Sequence, residues 1–153
     1  LYQSEFFREV LDINEGPPPE INLFNEKNNG LVIKTLIENK LLNSVHDISG
    51  GGIIIALSEM CISSKIGAKI KIPIKNISNH EYLFGEDQSR YIIEINEKNK
   101  EETFKILEKN SVYFELIGNT QKKTLNIDKE INIDVSDLKD FNCYWFKNYF
   151  KVK

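Results

Sequence analysis

His46 and Asp47 stand shortly before a run of glycines in the stretch VHDISGGGIIIALSEM. The apolar residues ahead of this pair predict a strand, and the pattern after Gly50, Gly51 and Gly52 predicts a helix. Glycines in such a turn leave backbone N–H groups unshielded at the positive end of the helix dipole, where an anion such as a phosphate binds well. The Asp47 carboxylate beside them is suited to a magnesium ion that accompanies a nucleotide phosphate.

The same stretch also has a purely structural interpretation. Three glycines between a strand and a helix often form a tight connection that lets the helix pack closely against the sheet. Their spacing matches neither the phosphate-binding loop GxxxxGK[ST] nor the dinucleotide fingerprint GxGxxG. Ser49 is a common type of helix-capping residue, and an isolated histidine such as His46 is more often structural than catalytic. The residues therefore leave both the anion site and the tight connection open.

A second dense group of polar residues lies in LFGEDQSRYIIEI, residues 83–95. Five hydrogen-bonding residues precede an apolar run that predicts a buried strand: Glu86, Asp87, Gln88, Ser89 and Arg90. Together they offer hydrogen-bond acceptors, amide donors and a guanidinium that can clamp an anion through two parallel bonds. Such a cluster is either a hydrated hairpin loop or a ligand-contacting loop, and the residue types alone favour neither.

Apolar periodicities place these stretches in a chain that mixes helices with strands, which indicates an α/β (α+β) fold. Helices are predicted at residues 4–11, 20–39, 51–64, 97–110 and 136–146. Strands are predicted at residues 41–48, 68–72, 91–95, 112–117, 124–127 and 131–135. Residues 76–80 predict a turn, and the aromatic C-terminal helix is expected to cover the core, with docking of another domain as the alternative.

The run EGPPP cannot be helical and forms a stiff connection. We therefore expect residues 1–19 to be an N-terminal helix and Pro-rich connector from a missing upstream domain, and residues 20–153 to be the domain proper. The chain begins at Leu1 and its single methionine is Met60, so it is expected to be a piece of a longer polypeptide.

Composition limits the classes of function. The 153 residues are 41% hydrophobic and carry a net charge of −3, which fits one globular domain and gives no support to a nucleic-acid surface. No apolar run is long enough to span a bilayer, so we expect a soluble, cytoplasmic protein. Cys61 and Cys143 are isolated and indicate neither a zinc site nor a disulfide.

Three stretches in order, LYQSEFFREVL before the prolines, HDISGGG with ALSEM, and LFGEDQSRY, resemble one family. They are similar to the C-terminal domain of phosphoribosylformylglycinamidine synthase, an ATP-dependent amidotransferase of purine biosynthesis, in its small-subunit bacterial form. The resemblance extends to aminoimidazole ribonucleotide synthase, selenophosphate synthase and thiamine-monophosphate kinase. It implies a layered mixed sheet with helices, like the aminoimidazole ribonucleotide synthase C-terminal domain and partly like a ferredoxin fold.

The resemblance implies a ligase that uses ATP and Mg²⁺ to convert formylglycinamide ribonucleotide to formylglycinamidine ribonucleotide. The reaction centre would lie in upstream domains of the same polypeptide, so this segment would hold no catalytic residue and would be inactive alone. Its partners would be those upstream domains, a glutaminase subunit and a small accessory subunit, with no nucleic acid or membrane. The alternatives are a non-catalytic scaffold and a domain of a related ATP-using enzyme such as aminoimidazole ribonucleotide synthase.

By the same resemblance, one set of residues would line an auxiliary ADP or ATP pocket or a domain interface. The set is His46, Asp47, Ser49, Gly50, Gly51, Gly52, Glu86, Asp87, Gln88 and Arg90. Asp47 is the expected magnesium ligand, and Arg90 is expected to bind a phosphate or form an interdomain salt bridge. The family usually has an aspartate where this sequence has Gly50, which removes one carboxylate from the implied metal site.

Overall fold

The structure is a computed structural model that describes residues 1–73 and 76–151. The predicted combination of helices with a mixed sheet is confirmed, but the strands form two separate sheets. Contacts between Cα atoms divide the chain into two compact units. The first comprises Leu1–Ala56 and Ile77–Glu115, and the second comprises Leu57–Asn76 and Leu116–Lys153.

The first unit is built around an antiparallel two-stranded ribbon. Its elements are α1 (Leu23–Glu38), β1 (Leu42–Asp47), the start of α2 (Gly52–Ser64), α3 (Asn79–Phe84), β3 (Tyr91–Ile95) and α4 (Lys100–Lys109). Strands β1 and β3 form the ribbon, with Leu42 opposite Ile95 at one end and Asp47 opposite Tyr91 at the other. The strand, glycine turn and helix predicted around residue 50 are therefore confirmed.

The core of the first unit lies between α1, α4 and the ribbon. It is centred on Val32, Leu36, Leu41 and Leu107, of which Leu36 is fully buried. The predicted helix over residues 20–39 is confirmed, but its buried face is narrower than its apolar content indicates. Four large apolar side chains of α1 are exposed: Leu23, Phe24, Leu31 and Ile37.

The predicted N-terminal helix is reduced to one π-helical turn, Phe6–Val10, whose Val10 side chain is exposed. Ser4 is almost fully buried, and the Phe6 ring stacks on Phe84 with 4.3 Å between centroids. Residues 1–19 belong by their contacts to the first unit. The boundary expected after residue 19 stays a prediction.

The turn predicted at residues 76–80 is wrong where it overlaps α3, because a capping box starts this short helix. The Ser78 hydroxyl accepts a hydrogen bond from the Glu81 N–H at 3.2 Å. The Glu81 carboxylate accepts one in return from the Ser78 N–H at 2.8 Å. The hydrogen bond from the Ser78 N–H to the Glu81 carboxylate is the main cause of a lowered pKa of Glu81, and the Ser78 hydroxyl adds to it.

The second unit contains β2 (Gly67–Ile70), β4 (Gly118–Gln121), β5 (Thr124–Ile127), β6 (Ile131–Asp134) and α5 (Val135–Phe150). Its four strands form one sheet in the order β4-β2-β5-β6. Strands β2 and β5 are parallel, and the other pairs are antiparallel. The strand predicted at residues 112–117 is wrong, because Val112 and Phe114 pack against the core of the first unit instead.

The aromatic residues of α5 do not cover the core, so that expectation is wrong. The side chains of Phe141, Tyr144, Trp145, Phe146, Tyr149 and Phe150 are all more than half exposed. Among the described residues of this unit, the most deeply buried side chains are Leu125 and Ile127 of the sheet. Within residues 1–73 and 76–151, no helix is both long and apolar enough to cross a membrane.

Candidate functional site

The two polar motifs meet at one end of the β1–β3 ribbon. Asp47, the last residue of β1, lies opposite Tyr91, the first residue of β3. Just beyond this pair the Ile48 N–H donates a hydrogen bond of 2.9 Å to the Arg90 carbonyl. Antiparallel pairing therefore places the residues after Asp47 beside the residues before Tyr91. The candidate site residues, which are far apart in sequence, share one place in the first unit.

Glu86 connects the second motif to the glycine turn. Its Oε1 accepts a hydrogen bond of 2.8 Å from the Gly51 N–H. The same oxygen accepts a second bond of 2.8 Å from the Glu5 N–H. The neighbouring Gly52 N–H donates to the Ser49 carbonyl at 3.1 Å. Donors in the turn that would suit a bound phosphate are thus used by groups of the chain itself.

The glycines also have a structural reason. Gly51 and Gly52 have φ angles of 81° and 73°, in the left-handed region that side chains disfavour. A Cβ on Gly52 would lie 2.6 Å from the Leu83 carbonyl oxygen and 2.9 Å from that of Gly85. The turn needs glycine both for its conformation and for the close approach of the main chain at residues 83–85. This geometry favours the tight connection among the two interpretations of the turn.

His46 and Asp47 are adjacent but differ in environment. The His46 Nδ1 lies 2.6 Å from the Asp47 carbonyl oxygen and 3.8 Å from its Oδ1. A carbonyl oxygen can only accept, so this contact places the proton on Nδ1. The side chain of His46 is 29% exposed, whereas that of Asp47 is 68% exposed. The Asp47 carboxylate is thus open to a ligand, while the imidazole is oriented by the main chain.

Arg90 folds over its own loop. Its guanidinium donates to the Gly85 carbonyl, and Nε donates to the Asp87 carbonyl at 3.5 Å. The guanidinium also forms an ion pair of 3.5 Å with the Asp87 carboxylate, which is 64% exposed. These contacts shape the loop and leave the Asp87 side chain and the neighbouring Gln88 facing solvent. A phosphate contact or interdomain salt bridge of Arg90 stays a prediction.

The structure adds a site residue that the sequence reasoning missed. Asn29, in the middle of α1, donates through Nδ2 to the Ser89 carbonyl and hydroxyl, both at 3.0 Å. Ser89 has a φ of 65°, so this strained residue is held from outside its own loop. The only signal in the sequence is the pair of polar residues Asn28 and Asn29 before Gly30, at the centre of the predicted helix.

A magnesium ion fits this site only if it is bound together with the phosphates of a nucleotide. Within the part of the chain that the structure describes, no group of three or more His, Cys, Asp or Glu side chains is placed to hold a metal. Gly50 is exposed and supplies no carboxylate. Mg²⁺ is commonly held by one or two carboxylates together with substrate phosphates, and exposed Asp47 suits that arrangement. Its role as a metal ligand stays a prediction.

The sequence matches a known domain family and relatives from that family. The family described as AIR synthase related protein, C-terminal domain, matches residues 6–128. The phosphoribosylformylglycinamidine synthase subunit PurL of Pelagibacter ubique is 50% identical over 149 residues, covering 97% of this chain and 20% of that protein. The chain thus spans about a fifth of the length of the curated relatives it matches.

Solved structures show the same fold at low sequence identity. The structure of PurLQS from Thermotoga maritima has a TM-score of 0.69 at 19% identity, covering 87% of this chain and 24% of that chain. T. maritima PurL complexed with ATP has a TM-score of 0.64 at 17% identity, covering 74% of this chain and 21% of that chain. The expected fold type is thereby confirmed.

Proposed function

Because the chain belongs to the family of AIR synthase related proteins, C-terminal domain, we propose that it works as the C-terminal domain of an ATP-dependent carbon–nitrogen ligase. The family expected from the HDISGGG and LFGEDQSRY motifs is confirmed by this membership. The proposed reaction converts formylglycinamide ribonucleotide to formylglycinamidine ribonucleotide in purine biosynthesis. The observation that carries the proposal is the 50% identity, over 97% of this chain, to the phosphoribosylformylglycinamidine synthase subunit PurL of Pelagibacter ubique.

The whole activity is proposed for a longer polypeptide. The chain matches about a fifth of its relatives' length, and we infer that the reaction centre lies in their remaining domains. The cofactors proposed are ATP or ADP with Mg²⁺, supported by solved T. maritima PurL structures described as complexes with ATP and ADP. The proposed partners are upstream domains, a glutaminase subunit and a small accessory subunit, supported by the PurLQS neighbour. We place the enzyme in the cytoplasm.

Within this domain, we propose that the end of the β1–β3 ribbon faces a nucleotide or an upstream domain. The exposed side chains of Asp47, Ser49, Asp87 and Gln88 would make the contacts. The remaining candidate residues, His46, Gly50, Gly51, Gly52, Glu86 and Arg90, would hold the site in shape through the contacts described above. No catalytic residue is assigned to the chain.

A domain exchange tests the proposed function. The matching segment of the Pelagibacter ubique PurL subunit is replaced by this chain, and the chimera is expressed in a purine-auxotrophic strain lacking its own enzyme. The proposal predicts growth without added purine, as with the unaltered relative. A chimera that is present in the cells in folded form but leaves the strain dependent on purine would contradict it.

The alternative of a pure scaffold is tested by titrating Mg·ADP into the purified chimera and into its Asp47→Ala variant. If the site faces a nucleotide, the affinity of one bound nucleotide falls by about tenfold in the variant, the loss expected for one charge-assisted contact. Exposed Glu20 supplies a matched control, because Glu20→Ala removes a carboxylate outside the site. Identical titrations for all three proteins would support a scaffold.

A further inference from the structure

A single oxygen of Glu86 joins two main-chain segments that are distant in sequence. It accepts from the N–H of Gly51, 35 residues away, and from the N–H of Glu5, 81 residues away. Both distances are 2.8 Å, as expected for hydrogen bonds to an ionised acceptor. The contact therefore connects the second motif to the glycine turn and to the N-terminal segment within one unit.

Two further observations show that the N-terminal segment, the glycine turn and the Glu86 loop lie together at one junction. The Phe6 ring, next to Glu5, stacks on Phe84, which lies two residues before Glu86. A Cβ on Gly50 would lie 3.8 Å from the Glu5 Cγ, so the N-terminal segment also borders the glycine turn. The three segments are thus held together by a ring stack and by one carboxylate, which supplies the polar part of the junction.

The Gly51 N–H is the kind of donor that would bind a free anion. It lies at the start of α2, where unshielded amides and the helix dipole favour negative charge. Glu86 already supplies that negative charge from within the chain. An external phosphate could use the same N–H only after the Glu86 carboxylate had moved away.

We propose that Glu86 is a positioning residue that fills the anion position of the glycine turn and ties the N-terminal segment to it. The turn is closed to a free phosphate as long as this contact stands. The role is exerted through the main chain at Gly51 and Glu5, not through contact with substrate. It rests on contacts within the first unit and holds whether or not the proposed enzyme activity is correct.

Charged groups around Glu86 must be separated from its own effect. Arg8 has a raised pKa, caused first by its hydrogen bond to Glu5 and then by the charge of Glu5, with smaller contributions from Glu9 and Glu86. Asp87 and Arg90 belong to the same loop. Because these neighbouring groups are also charged, substitution of Glu86 itself is the deciding comparison.

The test follows the amide protons of Gly51 and Glu5 by NMR in this chain. In the unaltered protein both amide protons donate to a charged acceptor, which should place both resonances downfield. Glu86→Gln keeps an oxygen acceptor but removes its charge, so both resonances should move upfield together while the fold is kept. Glu15→Gln, at an exposed position of the N-terminal segment, is the matched control and should leave both resonances in place.

Hydrogen exchange gives a second readout. Glu86→Ala removes the acceptor, and both amides should exchange faster by about tenfold or more, because bonds to a charged acceptor are among the stronger ones. Inorganic phosphate should shift the Gly51 amide in Glu86→Ala and not in the unaltered protein. The proposal is overturned if the two amides respond independently, if Glu86→Gln leaves both resonances in place, or if phosphate shifts Gly51 equally in both proteins. If Glu86→Ala does not fold, the Glu86→Gln comparison still decides.

Discussion

The main chain at Gly52 lies so close to Leu83 that a Cβ on Gly52 would be 2.6 Å from the Leu83 carbonyl oxygen. Gly52 is also buried and has a φ of 73°. The start of α2 is therefore fitted directly against the main chain at the end of α3. This close approach fixes the glycine turn beside the polar loop, because the loop with Glu86 begins immediately after α3.

Gly52→Ala is expected to lower the free energy of unfolding by at least about 2 kcal/mol, since it adds backbone strain and a clash with main-chain atoms. The control is Gly50→Ala, because Gly50 is exposed and its Cβ would meet only the Glu5 Cγ at 3.8 Å. That variant should change stability by less than about 1 kcal/mol. Chemical denaturation measures both, and equal losses would mean that the turn is not fitted against α3.

Leu36 and Ile37 are neighbours on α1 with opposite environments. Leu36 is 0% exposed and Ile37 is 49% exposed. Leu36→Ala should cost about 2 to 5 kcal/mol through lost burial and a cavity, whereas Ile37→Ala should change stability by about 0.5 kcal/mol or less. Urea denaturation of the pair tests the packing of α1. If Ile37→Ala lost more stability than Leu36→Ala, the core would contain the opposite face of α1, and this packing would be wrong.

Thr103 is fully buried in α4, and its hydroxyl oxygen has no hydrogen-bond partner among residues 1–73 and 76–151. Thr103→Val keeps the shape of the side chain and removes the unpaired polar group. We expect it to raise the free energy of unfolding by about 1 kcal/mol, because a buried hydroxyl without a partner carries a desolvation penalty. Thermal and urea unfolding measure the change. A loss of stability would show that the hydroxyl makes a bond in solution.

The two thiols should differ in reactivity. Cys61 is 4% exposed, and burial raises its pKa above the ordinary 9.0, whereas Cys143 is partly exposed. At pH 8 a disulfide reagent should modify Cys143 quickly and Cys61 only after unfolding. In Cys143→Ser no fast reaction should remain, and fast modification of that variant would show that Cys61 is accessible.

The Cys61 shift also has a defined sign for stability. The folded protein binds the Cys61 thiol proton more tightly than the unfolded chain does. The contribution of this thiol to the free energy of unfolding is therefore complete below pH 9.0 and decreases as pH rises above it. Comparing Cys61→Ala with the unaltered protein in alkaline denaturation should show a smaller pH dependence for the variant over that interval. An unchanged dependence would assign it to other groups.

Local sequence patterns predict much of the fold, because helices, strands and turns depend mainly on residues that are close in sequence. Strand β1, the glycine turn and helix α2 follow from a change of periodicity at residues 50–52, which glycine marks strongly. Helix α3 was missed although its capping residues Ser78 and Glu81 are three apart, because six residues give too short a pattern. The strand predicted at residues 112–117 is wrong because Val112 and Phe114 pack against the core around Leu36 and Leu107.

The sequence identifies the two motifs of the candidate site but not the contacts between them. Both motifs were identified from residue types, but their meeting depends on the antiparallel pairing of Asp47 with Tyr91, which no local pattern fixes. The bonds from Glu86 to Gly51 and Glu5 depend on that pairing as well. Likewise, Asn29 could not be recognised as a support of Ser89 until α1 was placed beside the loop.

The most direct measurement of the proposed function is the turnover of the purified chimera described above. Growth can be sustained by slow catalysis, so the ATP-dependent conversion of formylglycinamide ribonucleotide is followed with ammonium as the nitrogen source, which removes the need for a glutaminase partner. If this chain is the C-terminal domain of such a ligase, kcat should lie within about tenfold of the relative's own, a change of about 1.4 kcal/mol in the barrier. A folded chimera that binds ATP but gives no ATP-dependent product would contradict the proposal.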